Sequence, residues 1–98
     1  MSYAILWSEN DGPEFAGRLT FEPGGVNLTG TEVQCDLRFT DLAEVYLERR
    51  LPARHTWRPS LVLVTTAGGH VDIGSLQGLG ALHELAEEVA ARRGKPAT

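Results

Sequence analysis

The chain has 98 residues, 9 basic and 13 acidic, for a formal charge of −4. That length fits one domain of ordinary size and excludes separate catalytic and regulatory modules. The acid excess argues against nucleic-acid binding, which needs basic surface to displace phosphate counterions. In chain order, Tyr3 to Trp7 places Tyr3, Ile5 and Trp7 on one face at period two, a strand. Asn10-Asp11-Gly12-Pro13 is a cluster of turn formers. Phe15 to Phe21 alternates again, with Phe15, Gly17, Leu19 and Phe21 on one side. Pro23 presets the first corner of a turn and Gly24 suits the second, so residues 22–25 reverse the chain into Val26–Thr29. After Gly30-Thr31, the residues Val33, Cys35, Leu37 and Phe39 alternate with Gln34, Asp36, Arg38 and Thr40, a half-buried strand.

Asp41 to Arg49 fits a helical turn or a strand, and Val45-Tyr46-Leu47 favours the strand. Pro52 and Pro59 mark residues 50–59 as a loop. Leu61 to Thr66 is short, apolar and β-branched, a strand. Ala67-Gly68-Gly69 turns it into His70–Ile73. From about residue 76 to 93 the period becomes helical. Leu79, Leu82, Leu85, Ala86 and Val89 form one stripe, and Glu84, Glu87 and Glu88 lie off it. Ser75 is the expected N-cap, Arg92 and Arg93 suit the helix C-terminus, and Gly94 suits its C-cap. Acids on the polar face argue against a membrane-surface helix. No apolar run approaches the roughly 20 residues of a membrane span.

About seven short antiparallel strands and one amphipathic helix predict a mainly β fold. The strands form two packed sheets or a partly open barrel, and the Leu stripe closes it. Residues 1–94 form the single domain and 95–98 a flexible tail. The single Cys35 excludes an internal disulfide and fits a reducing cytoplasm. The N-terminal MSYAILWSENDG lacks a basic n-region, so no signal peptide is expected.

Four stretches carry a family resemblance. Gly17-Arg18-Leu19-Thr20-Phe21, through Pro23-Gly24-Gly25, to Val26-Asn27-Leu28-Thr29 resembles the second and third strands of pleckstrin-homology-like domains. Leu37 to Val45 resembles the fourth strand and its turn into the fifth. Leu61–Thr66, Gly69 and Val71–Gly74 resemble the last hairpin, and Leu79–Val89 the closing helix. The chain is similar to the small bacterial form of this fold, and eight Arg against one Lys is the usage of a GC-rich bacterial genome. The resemblance implies a non-enzymatic module that binds phosphoinositide headgroups, peptides or proteins. Lipid-binding members carry bases in the first hairpin loop. Here Glu9 to Glu14 holds three acids and no base, which repels phosphate.

Charge is uneven along the chain. Residues 1–48 carry −7, residues 49–58 carry +4, and residues 59–98 carry −1. Within the basic segment stand Arg49, Arg50, Arg54, His55, Trp57 and Arg58. Guanidinium forks grip carboxylate or phosphate in pairs, and the indole offers a flat apolar surface. These six residues are the candidate anion- or partner-binding site, and the arginines could instead pair with the chain's own acids. An anionic peptide or protein partner is the first expectation and an anionic lipid headgroup the alternative. Self-association through an open strand edge is a further expected contact.

No catalytic or cofactor fingerprint stands out, and none is expected. G-x-S-x-G is absent, and Gly78-Leu79-Gly80 lacks the rest of a phosphate-binding loop. Cys35 reads as a small core residue. His55, His70 and His83 have no ligand spacing, so no metal is expected. His70 and Asp72 would share one strand face, a two-ligand start. A small enzyme assembled in space from His70, Asp72 or Cys35 is the second alternative.

Overall fold

The computed structural model describes residues 2–50 and 58–93. Seven strands run as β1 (Ser2–Glu9), β2 (Phe15–Glu22), β3 (Gly25–Gly30), β4 (Val33–Arg38), β5 (Leu42–Arg50), β6 (Arg58–Thr65) and β7 (His70–Ser75). A 3-10 turn, Phe39–Asp41, precedes β5, and the helix α1 spans Leu79–Arg92. All strand pairs are antiparallel, in the order β4-β3-β2-β1-β7-β6-β5. Two meanders, β1–β4 and β5–β7, are therefore joined where β7 pairs with β1. The sheet curls into a half-barrel with β4 and β5 as its edges, and α1 packs into its concave side.

The period-two residues explain which face is which. Tyr3, Ile5 and Trp7, Leu19, Val26 and Leu28, Leu61 and Leu63, and Val71 and Ile73 all point inward and are buried. Leu82, Leu85 and Val89 of α1 complete the same cluster. Burial of this stripe stabilises the helix more than its own propensity does.

Curling needs close strand approach, and glycine supplies it. A Cβ on Gly17 would lie 1.6 Å from the Thr29 carbonyl oxygen, and one on Gly25 would lie 2.0 Å from that of Leu37. The space over Gly17 lets the buried Trp7 indole reach across β2 and donate to the Thr29 carbonyl at 2.9 Å. The Trp7 ring also packs on Phe15, with centroids 5.1 Å apart. Trp7→Phe should therefore lose roughly 1–3 kcal/mol, because a carbonyl inside the fold loses its donor. Urea unfolding measures it, and an unchanged midpoint would contradict the bond's importance.

The other end is tied by α1. Tyr3 Oη donates to Glu84 Oε1 at 3.1 Å, and the Arg92 guanidinium stands 4.6 Å over the Phe21 ring. Burial, then the Glu84 carboxylate, push the Tyr3 hydroxyl above its ordinary pKa. A register shift between Leu42 and Glu44 makes a bulge in β5. Arg93 donates to the Leu42 and Ala43 carbonyls there, at 3.2 and 2.5 Å. The bulge and this clamp blunt one end of an exposed edge strand.

Several expectations need correction. The helix begins at Leu79, with Gly78 at its N-cap position (φ 101°) and no side-chain cap. Ser75 instead ends β7, and its hydroxyl accepts from the Gln77 amide at 2.9 Å. Leu79 is 47% exposed, because a helix starting there turns its first residue away from the sheet. Phe39 leaves β4 and enters the 3-10 turn. The segment expected as a 50–59 loop is narrower. Arg50 belongs to β5, while Arg58 and Pro59 belong to β6, Pro59 standing near the strand's start where a missing N–H is tolerated.

Candidate functional site

The described ends of the basic segment are Arg49 and Arg50 on β5 and Arg58 on β6. The register places Arg49 opposite Pro59 and Arg50 opposite Arg58. The two ends of the +4 stretch are thereby neighbours across one ladder. Arg54, His55 and Trp57 lie outside the described residues, as does the tail 95–98 with Gly94. The preceding rungs carry Glu48 opposite Ser60 and Tyr46 opposite Val62. Tyr46 and Leu47 are both exposed, at 42% and 37%. Val62 is buried although it lies on the convex face, away from the Leu61 and Leu63 side chains that meet α1.

A second cluster forms farther along that convex face. Val71 and Ile73 of β7 point inward, so His70 and Asp72 share the outer face, as their spacing predicts. Asp11 joins them from the β1–β2 turn. Its Oδ1 lies 3.2 Å from His70 Nε2, and donor atoms of Asp11, His70 and Asp72 all fall within 4.8 Å of one another. The turn is fastened to β7 by two hydrogen bonds of 2.9 Å. The Asn10 amide donates to the His70 carbonyl, and the His70 amide donates to Asn10 Oδ1. Asn10 and Asp11 both take left-handed backbone angles, φ 50° and 63°. Asn and Asp tolerate that region better than most residues, which explains the pair's place in the turn.

Spacing along the chain gives no reason to link Asp11 with His70, 59 positions away. The link follows from β1 pairing with β7, a long-range choice invisible to local pattern. The only local signal was the density of turn formers at residues 10–13.

Cys35 occupies a different face. It is half-buried on the concave side against the core, where its thiol meets Glu9 Oε2 at 3.6 Å. Desolvation, then the Glu9 carboxylate, push its pKa up to about 11. The thiol is therefore protonated at neutral pH and a poor nucleophile. His70 and Asp72 lie on the opposite side of the sheet, so Cys35 does not pair with His70. His83 is exposed on α1, apart from the cluster.

No protein-family model matches the chain, and no curated protein matches it. Among solved structures, the C-terminal domain of an unknown protein from Leishmania infantum is similar. The superposition has a TM-score of 0.73 with 10% identical residues, and covers 95% of this chain and 81% of that one. At that identity the likeness speaks for the fold alone. Among the described residues, no helix is long and apolar enough to cross a membrane.

Proposed function

We propose that this chain is a non-catalytic, cytoplasmic binding module of the small bacterial pleckstrin-homology-like kind. Its partner is an acidic protein or peptide segment held at the end of the β5–β6 hairpin. The observation that carries this reading is the register. Arg49 faces Pro59 and Arg50 faces Arg58, so the described ends of the +4 segment are neighbours on paired strands of a −4 chain. Like charges at facing strand positions destabilise a ladder, and a partner's carboxylates offset that repulsion. Guanidinium groups suit this, because each binds a carboxylate through two parallel bonds.

The strand order and the single closing helix support the pleckstrin-homology-like assignment. The acidic β1–β2 turn, engaged with His70, favours a carboxylate partner at the hairpin over a phosphoinositide at that turn. The separation of Cys35 from His70 and Asp72 supports the non-catalytic reading over a small enzyme. The exposed β5 edge adds a surface for self-association, which light scattering of the free chain reads directly.

The test is a titration of wild type and an Arg50→Ala/Arg54→Ala variant with acidic peptides and with phosphoinositide vesicles. Peptide binding should weaken with salt and fall at least about tenfold in the variant. Vesicle binding without peptide binding would select the lipid alternative. Binding of neither at low salt would overturn the proposal.

A further inference from the structure

We infer that Asp11, His70 and Asp72 form a binding site for one divalent transition-metal cation of the zinc type. The site would offer one imidazole nitrogen and two carboxylate oxygens. Two ligands of one tetrahedral zinc, each about 2.05 Å from it, stand roughly 3.3 Å apart. His70 Nε2 and Asp11 Oδ1 are already 3.2 Å apart, and the Asp72 donor lies within 4.8 Å of both. Asp72 would reach the same ion by rotating its carboxylate toward the other two donors.

The donors are held by backbone, not by chance surface crowding. Asp72 and His70 are fixed two apart on β7, between β6 and β1 in the interior of the sheet. Asp72 stands opposite Ser8 and Val62, both buried, and one of its carboxylate oxygens is shut off from solvent. Asp11 is brought over by the paired Asn10–His70 hydrogen bonds. Gly69 makes room for that clasp, since a Cβ there would lie 2.9 Å from Asn10 Oδ1.

The mixture of donors sets the cation class. Carboxylates alone suit magnesium or calcium, whereas an imidazole shifts preference toward zinc and its transition-metal neighbours. Three protein ligands leave a coordination position for water, and the 70% exposed Asp11 side chain keeps the site open to it. A bound ion would pin the β1–β2 turn to β7.

Calorimetric titration of the chelator-treated full chain with zinc chloride tests this, beside Asp11→Asn, Asp72→Asn, His70→Gln and His83→Gln variants. One zinc per chain is expected. Asp11→Asn and Asp72→Asn should each weaken it at least about tenfold, and His83→Gln should leave it unchanged. Asp11→Asn keeps the shape of an exposed side chain, so it reads binding without unfolding the chain. Nitrogen-15 spectra of the His70 ring should move at Nε2 on adding zinc. No heat up to about 1 mM zinc, or binding indifferent to both Asp11→Asn and Asp72→Asn, would overturn the inference.

Discussion

Gly17→Ala is expected to cost about 3 kcal/mol or more, enough to lower the melting temperature by at least roughly 12 °C. The added methyl carbon would sit 1.6 Å from the Thr29 carbonyl oxygen, with the Thr29 carbonyl carbon at 2.6 Å. Both obstacles are backbone, so no side chain can swing aside. Relief requires β2 and β3 to part where Arg18 pairs with Thr29. That movement also pulls the Thr29 carbonyl from the Trp7 indole. Gly24→Ala is the matched control, because nothing lies within 4 Å of its added carbon. Thermal unfolding of the two variants should separate them clearly. Equal melting temperatures would show that the sheet does not curl over Gly17.

Leu85→Ala should cost roughly 2–5 kcal/mol by urea unfolding. Leu85 is fully buried and belongs to the hydrophobic core cluster. Truncation removes transfer free energy and leaves a cavity between α1 and the sheet, while Tyr3, Arg92 and Arg93 still hold the helix at its flanks. For a domain whose total stability is about 5–15 kcal/mol, that is a large share. Leu79→Ala, six residues earlier on the same predicted stripe, should change stability by no more than about 0.5 kcal/mol because its side chain is exposed. A large loss at Leu79 together with a small one at Leu85 would place the helix the other way round.

The strands were readable because their period of two survives in the side chains that meet the core. Tyr3, Ile5 and Trp7 alternate in the sequence, and the same three are buried in the structure. Pro23-Gly24 likewise marked a turn that closes between Glu22 and Gly25. The helix start was harder. Ser75 looks like a cap, yet β1 recruits residues through Ser75 into its ladder, and the helix waits for Gly78. Tertiary pairing outweighed a local capping preference there. Leu79 followed from the same error, since its place on the stripe assumed an earlier first turn.

The candidate sites differ in legibility for a related reason. A run of arginines is visible as composition, and the pairing of its ends, Arg49-Arg50 with Arg58, needed only the β5–β6 register. The Asp11 cluster needed β7 to pair with β1, which brings together residues from opposite ends of the chain. Loop residues such as Asn10 and Asp11 look like ordinary turn formers until that partner strand is known. His70 and Asp72 were readable as a pair on one face, but not as two members of a trio.

The anionic-partner reading stands or falls on where an acidic peptide touches the chain. Amide chemical-shift mapping of the nitrogen-15-labelled protein, at low salt, answers this residue by residue. The account predicts changes concentrated at Leu47–Arg50 and Arg58–Ser60, the last rungs of the β5–β6 hairpin, with their size falling as salt rises. Changes confined to α1 or to the Asn10–Glu14 turn, with the hairpin rungs unmoved, would contradict it.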